Sequence, residues 1–303
     1  MQKIRIGSRA SFLALAQTKS ISKQLEAIFP EILWEIIPVK TEGDISSQVP
    51  LAEIGGEGVF VKQLEHLLLK GEIDMAVHSM KDLPSSLPEG LEIAAVPQRV
   101  NPCDVLVSCQ GVHLDDLPFQ AVIGTGSLRR KAQILYHRKD FEIKGIRGNI
   151  DTRIKKLKPG EIDAIVLAYA GLYRLGMKDK ISYILPHEIC LPAVGQGALC
   201  LQARAGDSKL IQKLQTLHHQ ESSWSINAER SFLKRLGGGC HVPIAALAEI
   251  KNQQLHLRGL VAHREGEKII RSYVLGDPQQ AEDMGKQLAD QLLLSGAEQL
   301  LKE

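Results

Sequence analysis

The sequence lacks the features that mark several protein classes. Its five cysteines are odd in number and form no CxxC pair, so neither a disulfide framework nor a zinc site is indicated. The ten histidines include no HExxH or comparable spacing, and we infer no metal. No run approaches the roughly 20 apolar residues of a membrane span, and residues 1–17 lack the continuous apolar segment of a signal peptide. We therefore expect a reduced, soluble, cytoplasmic protein.

The chain also lacks an excess of either charge. It has 37 Lys plus Arg against 35 Asp plus Glu, a net charge of +2, which argues against a nucleic-acid partner bound through a general basic field. With 44% apolar and 24% charged residues the composition is that of an ordinary globular protein. At about 150 residues per domain, the 303 residues suggest two or three domains.

Alternating strand and helix patterns predict an α/β fold class. Two α/β blocks with mostly parallel sheets should face a cleft, and ligands of such sheets bind beyond the carboxyl ends of the strands. The first helix should begin at Ser11, whose hydroxyl can cap the amides of the first turn. After residue 220 a helix and three apolar runs predict a small α+β domain with a three-stranded antiparallel sheet.

Several loops that should meet at the cleft contribute cations. Taken singly, each is an ordinary solvated charge, but guanidinium groups near helix amides suit carboxylates or phosphates. The cations are Arg9, Lys81, Arg129, Arg130, Arg147, Arg153 and Arg174.

Two local motifs carry candidate reactive groups. HSMKDLP places Lys81 and Asp82 just past an apolar strand, where Asp82 could exchange protons or stabilise a cation. A Schiff-base role for Lys81 has no further support in the chain, and a plain surface turn is the alternative. GGGCHVP exposes Cys240 on a glycine-rich loop, as a covalent attachment point, a nucleophile assisted by His241, or an unreactive thiol.

Taken together, the loops resemble the porphobilinogen deaminase family along essentially the whole chain. The segments that carry the resemblance are IGSRASFLALAQ, GGEGVFVKQLE, DMAVHSMKDLP, GTGSLRRKAQ, IRGNIDTRIKKL, AIVLAYAGLYRLG, LPAVGQGAL and AERSFLKRLGGGCHVPIAA. The resemblance implies two domains like those of periplasmic binding proteins and a third that carries the cofactor. Domain 1 would comprise residues 1–98 and 198–215, domain 2 residues 103–192 and domain 3 residues 220–303.

The resemblance also implies the chemistry. Family members condense four porphobilinogen molecules head to tail with loss of ammonia and release hydroxymethylbilane, usually as monomers. Their dipyrromethane cofactor is joined by a thioether to the cysteine that matches Cys240, and Asp82 matches the catalytic carboxylate. Residues that match cofactor or substrate contacts are Arg9, Ser11, Gln17, Phe60, Ser79, Lys81, Thr125, Ser127, Arg129, Arg130, Arg147, Arg153, Arg174 and Gln196.

The sequence departs from the family pattern in a few places. Glu42, Glu53 and Glu57 stand where basic residues are common, and acidic groups there would repel substrate carboxylates. Gly126 and Gly237 replace a common Ser and a common acidic residue. Two other functions therefore stay open: a noncatalytic binder of small anions, and a relative that keeps the cofactor but elongates poorly.

Overall fold

A computed structural model describes residues 2–39, 61–237 and 242–302. The chain separates into two compact units, Met1–Val100 with Ala198–Ser223, and Asn101–Gly197 with Trp224–Glu303. The predicted division into three domains stays a prediction. Within the described ranges, no helix has both the length and the apolar character needed to cross a membrane.

The strands and helices of the described residues follow the predicted alternation. The strands are β1 (Gln2–Arg9), β2 (Ile32–Val39), β3 (Met75–Ser79), β4 (Leu91–Ala95), β5 (Asp104–Ser108), β6 (Val122–Gly124), β7 (Glu142–Lys144), β8 (Ala164–Ala168), β9 (Tyr183–Ile184), β10 (Leu199–Arg204), β11 (Ile244–Lys251), β12 (Gln254–Ala262) and β13 (Ile269–Gly276). The α-helices are α1 (Phe12–Ile28), α2 (Lys62–Leu69), α3 (Leu128–His137), α4 (Ile150–Ile154), α5 (Tyr169–Arg174), α6 (Ser208–Leu214), α7 (Gln220–Arg235), α8 (Ala281–Leu292) and α9 (Glu298–Lys302).

The first helix of each unit starts at a serine. Ser11 precedes α1, and its Oγ accepts a hydrogen bond from the amide of Ala14 at 3.4 Å, so the predicted cap is confirmed. Ser127 stands in the same place before α3 and accepts from the amide of Arg130 at 3.5 Å.

Both α/β sheets have five strands and the same topology. The first has the order β2-β1-β3-β10-β4 and the second the order β7-β6-β8-β5-β9. In each sheet four of the five strands run in one direction, so the expectation of mostly parallel sheets is confirmed. The exceptions are β10 and β5, which run against the strands on both sides of them, and local alternation cannot indicate this.

The C-terminal part of the second unit contains the predicted three-stranded antiparallel sheet, in the order β11-β12-β13. Fully buried Phe232, Leu257 and Leu288 are among the core residues between this sheet and the helices. A Cβ atom on Gly259 would stand 2.7 Å from Cζ of Phe232, so glycine lets the aromatic ring pack directly on β12. The predicted α/β fold class with this sheet is confirmed.

Candidate active site

The first unit contains a cavity of about 50 Å³ beside the N-terminal end of α1. Most of its polar lining was predicted from the sequence, and its apolar lining comes from α1, β3 and the residue before α2. The lining residues are Arg9, Ser11, Leu13, Ala14, Gln17, Val61, Val77, His78, Ser79 and Asp82. One described wall of the first unit thus brings together a carboxylate, a guanidinium, hydroxyls and an amide.

Asp82 lies on a short 3-10 turn, Met80–Asp82, that follows β3 directly. The turn is fixed by the amide of Met80, which donates to the carbonyl of Ala198 at 3.0 Å. Asp82 and Lys81 are both exposed. Among the described residues none donates a hydrogen bond to the Asp82 carboxylate, so its oxygens are available to a molecule in the cavity.

Gln17 connects α1 to the end of β3. It is buried, and its Nε2 donates to Oγ of Ser79 at 3.0 Å. Arg9 ends β1, where it pairs in register with Val39 of β2. These contacts hold three of the predicted site residues on rigid elements rather than on a free loop.

His78 also lines this cavity, although the sequence reading considered it only as a metal ligand. It is 4% exposed, and its Nε2 lies 2.9 Å from Oε1 of Gln202, whose Nε2 donates to Oε1 of Glu65 at 3.0 Å. Burial lowers the pKa of His78 to about 4, so the ring is neutral near pH 7. Its place beside Ser79 in HSMKD was a usable signal, but its partner on β10 was not foreseeable.

The second unit gathers cations around a buried carboxylate. Asp104 is fully buried at the start of β5. Arg129 Nη1 donates to its Oδ2 at 2.6 Å, while Arg130 Nε and Nη2 donate to its Oδ1 at 3.0 and 2.7 Å. Burial by itself would raise the pKa of Asp104, but the two guanidinium charges outweigh it and hold the pKa well below its usual range.

Two further groups bind the same carboxylate. Gln196 Nε2 donates to Asp104 Oδ1 at 2.8 Å, and the thiol of Cys190 donates to Oδ2 at 3.3 Å. Burial and the nearby Asp104 charge raise the pKa of Cys190 to about 12, so this thiol stays protonated. The sequence reading missed Asp104, because a single acidic residue before an apolar strand carries no distinctive pattern.

Arg153 and Arg174 are half-buried and bind main-chain carbonyls. Arg153 Nε donates to the carbonyl of Gly148 at 2.7 Å, and Arg174 Nη2 to that of Gly197 at 2.8 Å. Burial lowers the pKa of both, that of Arg174 to about 10. Neither forms an ion pair with any residue in the described ranges. Arg147, in contrast to these two half-buried arginines, is exposed. Guanidiniums of this kind fit the carboxylates of a polyanionic group such as the family's dipyrromethane.

Thr125 and Ser127 form the turn between β6 and α3. The amide of Ser127 donates to Oγ1 of buried Thr125 at 3.2 Å. Between them, a Cβ atom on Gly126 would stand 2.9 Å from the carbonyl oxygen of Ile146. A serine at this position would require the backbone to shift. Glycine, in contrast, allows the close approach of the Ile146 carbonyl.

Several predicted residues lie outside the described ranges. They are Glu42, Glu53, Glu57, Phe60, Cys240 and His241. Of the others, the first unit brings Arg9, Ser11, Gln17, Ser79 and Asp82 to one cavity. The second unit brings Arg129, Arg130 and Gln196 to one carboxylate. Contacts of any of these residues with a ligand stay predictions.

Comparisons with known proteins cover nearly the whole chain. Residues 4–212 match the family model "Porphobilinogen deaminase, dipyromethane cofactor binding domain", and residues 224–294 match "Porphobilinogen deaminase, C-terminal domain". The chain is 46% identical to the porphobilinogen deaminase of Pelotomaculum thermopropionicum, with 99% of this chain and 96% of the relative covered. It is 48% identical to that of Listeria welshimeri, with 100% and 98% covered.

Solved structures give a more distant likeness. A YaeC-family lipoprotein from Enterococcus faecalis is 15% identical, with a TM-score of 0.44 over 72% of this chain and 91% of that chain. The two family models and the full-length relatives are decisive: the chain belongs to the porphobilinogen deaminase family and contains that family's dipyrromethane cofactor-binding domain.

Proposed function

We propose that this chain condenses four porphobilinogen molecules head to tail, with loss of ammonia at each addition, and releases hydroxymethylbilane for tetrapyrrole biosynthesis. The growing chain starts on a dipyrromethane joined by a thioether to Cys240. The observation that carries the proposal is the cavity of the first unit, in which the open carboxylate of Asp82 stands among anion-binding groups. The substrate carries both carboxylates and a centre that becomes cationic. A site for it therefore needs a carboxylate of the protein together with groups that bind anions.

Asp82 is the proposed catalytic residue. Loss of ammonia and formation of the new carbon–carbon bond place positive charge on the substrate's pyrrole system. A fixed carboxylate stabilises that charge and accepts or returns protons as it moves. Because Asp82 accepts no hydrogen bond from the described residues, its charge is available for this work.

The basic residues are the proposed carboxylate binders. Each pyrrole unit carries an acetate and a propionate, so negative charge accumulates as units are added. Arg153 and Arg174, which lack ion pairs among the described residues, are suited to these groups, as are Arg9 and the amides at the start of α1. When bound, the dipyrromethane supplies the pyrrole carbon from which the chain grows.

Intact mass under denaturing conditions tests the proposal. The wild-type chain should carry an added mass of two linked pyrrole units, and it should release ammonia when given porphobilinogen. Cys240→Ser should lose the added mass. Cys109→Ser is the matched control, since this half-buried thiol donates to the carbonyl of Ile162 in the second unit, and it should keep the mass.

If the wild-type chain shows no added mass, it is incubated with porphobilinogen and its mass is measured again. Mass gained on incubation identifies an apo preparation and supports the proposal. A chain that gains no mass and releases no ammonia is a noncatalytic anion binder, and the proposal is then rejected.

We further propose that the chain acts as a monomer in the cytoplasm, without a nucleic-acid or membrane partner. The near balance of charge, +2 over 303 residues, supports the absence of a nucleic-acid partner. Light scattering on the purified chain tests the monomer: a particle of 33.3 kDa is expected, and twice that mass would reject it.

A further inference from the structure

The buried Asp104 cluster raises a question that the proposed reaction does not answer. Four of the side chains on this carboxylate are Arg129, Arg130, Gln196 and Cys190, and the first three match ligand contacts in the family. Asp104 itself is 0% exposed and cannot touch a ligand in this arrangement. Its contacts are therefore with residues that bind rather than with the molecule that is bound.

The cluster is not electrically balanced. Two guanidiniums face one carboxylate, which leaves one positive charge in a buried setting. The surplus charge also acts on Arg153. Burial and the charge of Arg130 together lower the pKa of this guanidinium. A buried surplus charge is unfavourable unless an anion completes it.

The hydrogen bonds also leave donors unused. Among the described residues, Arg129 donates only through Nη1, to Asp104, to the carbonyl of Leu191 at 2.7 Å and to Sγ of Cys190 at 3.6 Å. Its Nε and Nη2 remain for another acceptor. Arg130 is held on both sides, by Asp104 and by the carbonyl of Val166, which accepts from Nη1 at 3.0 Å. Two adjacent guanidiniums would repel each other without the carboxylate between them.

We propose that Asp104 is a positioning residue, which orients Arg129 and Arg130 so that together they bind one carboxylate of the dipyrromethane or the growing chain. This inference rests on the proposed function. Asp104 does no chemistry itself: it removes rotamer freedom from two long side chains before the ligand arrives, and it leaves the charge that the ligand carboxylate neutralises.

The variant Asp104→Asn tests the inference, because asparagine keeps the shape but loses the charge and turns an NH₂ group toward one arginine. The matched control is Asp163→Asn. Asp163 lies in the same unit, where its Oδ2 accepts from the amide of Val122 at 2.8 Å, and it has no contact with the arginines. Both variants should lower the thermal midpoint.

Three quantities separate positioning from stability: the KM for porphobilinogen, kcat, and the rate at which apoprotein gains the cofactor mass. All are measured below the midpoint of both variants. Asp104→Asn should raise KM about tenfold or more, the loss seen when the outer partner of a ligating side chain is removed, with a smaller change in kcat. It should also slow cofactor attachment by a similar factor. Asp163→Asn should change neither KM nor the rate of cofactor attachment.

An Asp104→Asn enzyme with wild-type KM and attachment rate, but a lower midpoint, would overturn the inference and leave Asp104 a structural residue. If Asp104→Asn does not fold, Asp104→Glu takes its place, since it keeps the charge and moves the carboxylate by one methylene group. Raised KM in the folded Glu variant supports positioning, and unchanged KM rejects it. A wild-type enzyme that does not consume porphobilinogen rejects the proposed function, and this inference with it.

Discussion

The two five-stranded sheets share a topology but carry different residues at equivalent positions. In the first sheet Ser79 of β3 pairs in register with Leu199 of β10. In the second sheet Ala168 of β8 pairs with Asp104 of β5 at the matching place. Where the first sheet has the apolar residue Leu199, the second therefore has a buried charge.

The helices beside these strands differ in the same way. After its Ser11 cap, α1 continues with Phe12, Leu13 and Ala14, whereas α3 continues after Ser127 with Leu128 and then two arginines. Both helices then present a buried glutamine, six positions after the cap in each case. The charged pair in α3 and the carboxylate in β5 thus stand, position by position, where the first unit has apolar residues.

The acidic residues of the two units therefore lie in different places. In the first unit these positions carry no charge, and the acidic residue Asp82 stands beyond the strand end at a cavity. In the second unit the acidic residue is inside, where it holds cations in place. The two carboxylates thus differ in their surroundings: Asp82 lies on an exposed turn after β3, whereas Asp104 is buried at the start of β5.

The largest expected effect comes from the open carboxylate. Asp82→Asn should lower kcat for porphobilinogen about 10²- to 10³-fold, because the amide cannot supply negative charge to the cationic centre. The thermal midpoint should not change, since Asp82 is exposed and accepts no hydrogen bond from the described residues. Asp116→Asn, at an exposed carboxylate of the second unit, is the control and should keep kcat. Near-normal turnover in the Asp82 variant would remove the proposed catalytic role.

Arginines of the second unit should separate into two kinds. Arg130→Met should lower the free energy of unfolding by about 2 kcal/mol, because the buried Asp104 carboxylate loses two hydrogen bonds from a guanidinium, although Arg129 still neutralises its charge. Arg153→Met should change it by less than about 0.5 kcal/mol, because Arg153 has no ion pair among the described residues, but should raise KM. Urea denaturation of both variants checks this, and equal losses would contradict the distinction.

Sequence periodicity was enough for most of the fold. The serine cap of α1 and the three C-terminal strands could be predicted because both depend on residues close along the chain. The antiparallel pairings of β10 and β5 could not, since a strand's neighbours in a sheet are not encoded in its own apolar pattern.

For the site, motif resemblance identified side chains but not their partners. The arginines after Ser127 were predicted as ligand contacts, yet each also binds Asp104, which lies 25 and 26 positions away from them and 92 positions from Gln196. A contact between such distant residues depends on the strand register of the folded sheet. His78 was overlooked for a related reason, because its partner Gln202 lies 124 positions along the chain.

The dependence of the free energy of unfolding on pH should also differ between the two sheets. Between pH 6.5 and about 4 the unfolded chain binds a proton at His78 that the folded chain does not, so this residue makes stability fall as pH falls. The loss between pH 7 and pH 5 should be about 2 kcal/mol. His78→Gln should lose that part of the pH dependence, as measured by urea denaturation at both pH values. The second sheet has Leu167 at the equivalent place, and an unchanged slope in the variant would show that His78 charges freely in the folded state.

The smallest effect concerns the two helix caps. Ser11→Ala and Ser127→Ala should each lower the free energy of unfolding by about 0.5 kcal/mol, the low end for a lost cap, because both hydrogen bonds are long, 3.4 and 3.5 Å. The two losses should be equal if the caps act only on their helices. In the second unit, however, the capped amide belongs to Arg130. A clearly larger loss for Ser127→Ala would show that this cap also holds Arg130 in position to bind Asp104. The two units would then differ in what their helix caps stabilise as well as in their side chains.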